Sequence, residues 1–131
     1  MKKTMVMCFL LSGLVFQSFQ AFGLELATSV IAGNIQDRTP QLVADSFPNS
    51  VEKLYCFSHI IGADKETSVT HVWLWEGHEM ARVKLQVRSS SWRTWSSKTL
   101  SPEWTGSWEV KILDEQDLPL GTVLFKVRPK E

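Results

Sequence analysis

Hydrolytic chemistry on a small domain needs a nucleophile within hydrogen-bond reach of a base, and this chain offers three histidines as bases: His59, His71 and His78. The local pattern puts His59 and His71 on strands and His78 in a hairpin loop. Cys56 and His59 are three residues apart on one strand, so their side chains point to opposite faces and cannot pair. No serine has the Gly-x-Ser-x-Gly setting of a nucleophile elbow, and His78-Glu79 lacks the second histidine of a zinc helix motif. His59 and His71 could meet across neighbouring strands, but a structural zinc site takes four ligands and two are at hand. The expectation is a protein without catalytic residues, metal or cofactor, its strand histidines half exposed with their ring nitrogens satisfied.

The tryptophans are the other chemistry-bearing set. Arg88-Ser-Ser-Ser-Trp92-Arg-Thr-Trp95-Ser-Ser-Lys98 and Trp104-Thr-Gly-Ser-Trp108 hold four of the six. Each buries roughly 150–250 Å² when packed, so they serve either as core or as a stacking surface. Trp108 leads Val110 and Ile112 on an alternating segment and is expected inside, near the start of a central strand, where immunoglobulin-like sandwiches keep an aromatic corner. Val123 and Phe125 are expected in the same core. Trp73 and Trp75 share one face of their segment with Val72 and Leu74 on the other, the mark of a central strand or of one whose outer face binds something.

Trp92 and Trp95 fall on opposite faces of a regular strand, with Arg93 on the side of Trp95. Only a bulge or a single helical turn would set the two indoles side by side as a platform. A surface of Arg88, Trp92, Arg93, Trp95 and Lys98 would suit a protein partner, since Trp and Arg dominate interface hot spots. It would also suit a glycan or peptidoglycan strand, whose rings lie on aromatic faces while polar groups bond the hydroxyls.

These residues must be positioned by strands, because the period of the pattern is two. Ala81, Val83, Leu85 and Val87 alternate with Arg82, Lys84, Gln86 and Arg88. Ser68–Trp75 and Met80–Arg88 are expected to pair through Glu76-Gly-His-Glu79, a hairpin loop. Further strands are read over 28–35, 51–61, 92–100, 106–114 and 122–127, with Asp37-Arg-Thr-Pro40 ending the first. Residues 41–47 are ambiguous between a strand and a helical turn. About seven short antiparallel strands in a hundred residues predict an all-β, immunoglobulin-like two-sheet sandwich, with a small closed β-barrel as the rival.

The N-terminus reads differently. Lys2 and Lys3 precede the apolar run from Met5 to Phe16, and Ala21-Phe-Gly23 carries the small residues that a signal peptidase requires. The run is shorter than the roughly 20 residues that span a bilayer, which favours a cleaved signal over 1–23 above an uncleaved anchor. Lipid attachment is disfavoured because Cys8 lies within the apolar run. Residues 24–131 are then one exported domain, periplasmic or secreted, with no membrane span of its own. The chain is formally neutral, and slightly acidic without the two lysines, which argues against nucleic acid. Cys56 becomes the one cysteine of the mature protein and is expected as a buried, inert thiol, an intermolecular disulfide being the alternative.

Three segments carry a family resemblance: Lys53-Leu-Tyr-Cys-Phe-Ser-His-Ile60, Thr70-His-Val-Trp73, and the run from Arg88 through Trp108 into Glu109-Val-Lys-Ile112. Together they resemble the bacterial domain-of-unknown-function family 2914 over about 54–127. The resemblance implies a bacterial exported domain and brings no activity, ligand or catalytic residue with it. The functional expectation is therefore a non-catalytic exported module binding an envelope protein or glycan through its Trp/Arg surface.

Overall fold

A computed structural model describes residues 23–130, so the leader assigned to 1–23 lies almost wholly outside the described residues. Among those residues the chain forms nine strands. They are β1 (Glu25–Gln36), β2 (Thr39–Val43), β3 (Ser46–Pro48), β4 (Lys53–Ile61), β5 (Thr67–Trp75), β6 (His78–Val87), β7 (Ser91–Thr99), β8 (Gly106–Leu113) and β9 (Pro119–Arg128). Two sheets result, ordered β2-β1-β4-β7 and β3-β9-β8-β5-β6, and neither closes into a barrel. All pairs are antiparallel except β3 with β9.

This order is an immunoglobulin plan. β9, β8, β5 and β6 stand where strands G, F, C and C′ lie, and β4 and β7 where B and E lie. The two strands beyond the expected seven come from the N-terminal part. Asp37-Arg38 does not end the first strand but turns it: both residues have positive φ, 51° and 59°, and Thr39–Val43 runs back along β1. Pro40 is tolerated because β2 is an edge strand. Residues 41–47, ambiguous in sequence, divide between β2 and β3.

The β5–β6 hairpin is tighter than the four-residue link read from sequence. Glu76 and Gly77 alone form the turn, with φ of 47° and 81°, as a primed hairpin turn requires. Glu76 also ties this end together. Its Oε1 accepts the Ser107 N–H at 2.7 Å and its own N–H donates to the Ser107 carbonyl at 2.9 Å. Gly106, at φ 115°, sits directly beneath the Glu76 carboxylate, where a β-carbon would collide with it.

The core fills the gap between the sheets with Ile31, Leu54, Cys56 and Ile60 from one side and Val69, Trp73, Val87, Trp108, Val110, Ile112, Phe125 and Val127 from the other. Val123 packs on it, partly buried. An aromatic column runs through it: Trp104 meets Trp75, Trp75 meets Trp108, Trp108 stacks on Phe125 at 5.7 Å, and Phe125 meets Trp73 edge-on. With Trp92, which packs against the same core, five of the six tryptophans are core or core margin. The Trp108 indole N–H donates to the Trp104 carbonyl at 2.8 Å, closing the corner before β8.

Candidate functional site

Strand β7 is paired with β4 without a register break, from Ser91 opposite Ile61 to Thr99 opposite Lys53. Unbroken alternation sends Trp92 and Lys98 toward the opposing sheet and Arg93 and Trp95 to the outer face. The inward sense is fixed by Ser96, whose hydroxyl lies between the sheets against His71 and Trp73. Trp92 pairs with buried Ile60 and packs on the core, while Lys98 Nζ lies 5.1 Å over the Trp104 ring. Arg88 is exposed in the link before β7. The five residues singled out from sequence do not form one platform. Of the five, Arg93 and Trp95 alone share the outer face.

That outer face is built in rows. Val30, Phe57 and Trp95 align across β1, β4 and β7, and Thr28, His59 and Arg93 form the next row. Trp95 is partly covered and Arg93 exposed. Phe57 is only 3% exposed although it points away from the core. The β1–β2 hairpin explains its cover. β1 stays with β4 as far as the Ala32–Tyr55 pair, yet the tip of the hairpin lies beside Trp92, opposite the far end of β4. The arm therefore folds back over this face. The Arg38 guanidinium sits 5.4 Å over the Trp92 ring, and Arg93 Nη1 makes a long 3.5 Å contact to the Arg38 carbonyl. An open cleft of about 340 Å³ between the tip and β7 is lined by Asp37, Arg38, Ser89, Ser91, Trp92 and Arg93.

Sequence reasoning missed Arg38, Asp37 and His59 as members of this surface. His59 Nε2 lies 2.8 Å from Ser91 Oγ. No residue spacing announces this neighbourhood, because it depends on where the arm lands and on the β4–β7 register.

The histidines do not gather. His71 is fully buried, not half exposed, because its place on β5 faces the core; His59 faces outward on the other sheet, so the two cannot meet. His71 bridges the sheets, with Nδ1 2.7 Å from Ser96 Oγ and Nε2 2.9 Å from Ser58 Oγ. The Ser29 hydroxyl donates to the Phe57 carbonyl, so the Ser58–Ser29 contact must be donated by Ser58. Ser58 then accepts from His71, which places the ring proton on Nε2. At the other end the Trp73 indole donates to Ser96, and Ser96 donates to Nδ1. Every donor in the chain is used. Burial pushes the His71 pKa down to about 4.

Cys56, on the strand equivalent to B, is buried and free; Val110, two residues after the Trp108 corner, stands where an immunoglobulin domain keeps the partner cysteine. Burial raises the thiol to about 12, against the opposing hydrogen bonds of Ser29 and Ser58. A larger depression of about 400 Å³ lies on the other sheet, around Leu124, Ser107 and Lys126. It brings together no aromatic–arginine pair.

An immunoglobulin-like sandwich with an aromatic–arginine outer face and a folded-back arm is the class that fold and site define. Residues 66–127, which span β5 to β9 almost entirely, match the family described as "Protein of unknown function (DUF2914)", the one the sequence resembles. No curated protein matches the chain. Among solved structures, it is similar to the extracellular domain of a protein described as a one component system, BT4673 of B. thetaiotaomicron. That likeness has 13% identity and a TM-score of 0.39, covering 82% of this chain and 15% of the other. It is too distant to bear on function.

Proposed function

We propose that this chain is an exported, non-catalytic module that binds an envelope partner, protein or glycan, on the outer face of the four-stranded sheet. The observation that carries the reading is the outward placement of Arg93 beside partly covered Trp95 on edge strand β7, continuous with His59. Such pairs of Trp and Arg are where interfaces concentrate their binding energy. The placement of the histidines supports the non-catalytic part. His71 is sealed in the core, and among the described residues no carboxylate orients the second ring nitrogen of surface His59. Export is supported by the basic start, short apolar run and small residues of 1–23.

Affinity capture from the protein's own envelope fraction tests this. The wild type should retain a partner that Arg93→Ala and Trp95→Ala lose while melting normally. Equal retention by all three would refute the surface.

A further inference from the structure

We propose that the cleft between the β1–β2 tip and the start of β7 binds an acidic sugar, whose carboxylate is held between Arg38 and Arg93. This rests on the outer face being a binding surface and narrows its ligand to one chemical class.

The charges come first. Two guanidiniums reach the cleft from separate elements, Arg38 from the hairpin tip and Arg93 from β7. Among the described residues neither is in an ion pair; the ion pairs there belong to Arg82. Each guanidinium has five N–H donors in a planar fork that matches a carboxylate. Arg93 uses one of them on the Arg38 carbonyl, at 3.5 Å, and Arg38 none on an acceptor among the described residues. With Arg38 and Arg93 against the one carboxylate of Asp37, the lining of the cleft is net positive and suits an anion.

The hairpin turn places one of the two arginines. Asp37 and Arg38 both occupy the left-handed region, at φ 51° and 59°. A hairpin turn of this shape takes Asn-Gly without strain, and a long side chain there is disfavoured. Here the turn sets the Arg38 guanidinium over Trp92.

The remaining lining distinguishes a sugar from a bare anion. Ser89 and Ser91 supply hydroxyls, and Ser91 is itself held by His59 and bonded through its carbonyl to Ser89. Asp37 lies in the same lining. A phosphate or an acidic peptide would meet its carboxylate as a repulsion. A sugar acid instead donates ring hydroxyls to Asp37 while its carboxylate turns to the arginines, with Trp92 beside the ring.

Calorimetric titration of the protein decides the matter, using a galacturonate trimer, maltotriose, inorganic phosphate and a glutamate-rich peptide as probes. The expected result is saturable binding of the galacturonate trimer alone. Arg38→Gln and Arg93→Gln should each weaken it about tenfold, the scale of one charge-assisted hydrogen bond, with unchanged melting. Leu124→Ala, exposed on the other sheet, should leave it intact. Binding of phosphate or the acidic peptide as tight as the trimer's, trimer binding that survives both arginine changes, or no binding of the trimer would each overturn the proposal. If the trimer fails while envelope capture still depends on Trp95, the sugar assignment falls alone. If capture ignores Arg93 and Trp95, the wider reading falls.

Discussion

His71 Nδ1 and Ser96 Oγ lie 2.7 Å apart across the gap between the two sheets, and with Ser58 on the neighbouring strand they make the histidine a polar rivet between the sheets. A protonated ring would place a buried charge against two serines and an indole, with no carboxylate bonded to it among the described residues. Its pKa falls from 6.5 to about 4 for that reason. The unfolded state therefore binds the proton first. Stability is full above about pH 6.5, declines as pH falls through the window to about 4, and levels off below. The loss is on the order of 3 kcal/mol. Urea unfolding of wild type and His71→Asn over this range should show that component in the wild type alone, on top of any carboxylate contribution common to both.

Cys56 should behave as an inert group. With the thiol buried and raised to about 12, a disulfide-exchange reagent should modify it only after unfolding, and non-reducing gels should show no Cys56-linked dimer. Modification of the native protein at the rate of a free thiol would contradict the packing.

The corner at Trp108 separates a hydrogen bond from a ring. Trp108→Phe keeps much of the stack on Phe125 but removes the donor to the Trp104 carbonyl. The expected cost is about 1–2 kcal/mol, or roughly 5–10 °C in melting temperature. Trp108→Ala should cost about 3–5 kcal/mol, since it also opens a core cavity.

The two indoles of β7 should part company. Trp92→Ala removes a side chain packed on the core and should lower stability by about 2 kcal/mol, less than a fully buried tryptophan. Trp95→Ala, on the outer face, should stay within about 1 kcal/mol of wild type. Denaturant melts of both variants measure this directly. Equal losses would mean that the strand does not alternate as described.

How much of this was legible follows from what each segment depends on. β6 was plain because alternation of Ala81, Val83, Leu85 and Val87 with charged residues encodes its face locally. Trp108 was readable for the same reason, as was the opposition of Trp92 and Trp95. The arm was not, because Asp37 and Arg38 turn the chain without a glycine and so look like an ordinary strand end. The His71 chain was hidden too. Ser58 lies in an apolar segment and Ser96 in a serine-rich one, and nothing in either names His71 as partner; their meeting follows from the pairing of β4 with β7 and from β5 facing them across the core. Arg38 meeting Trp92 combines both difficulties.

Hydroxyl-radical footprinting of the protein with and without its envelope fraction, read by mass spectrometry, addresses the binding face most directly. Trp95 should be protected on addition, together with the outward side of β7. Leu124, 69% exposed on the opposite sheet, should react unchanged. Protection centred on Leu124, with Trp95 as reactive as before, would place the interface on the wrong sheet for the account given above.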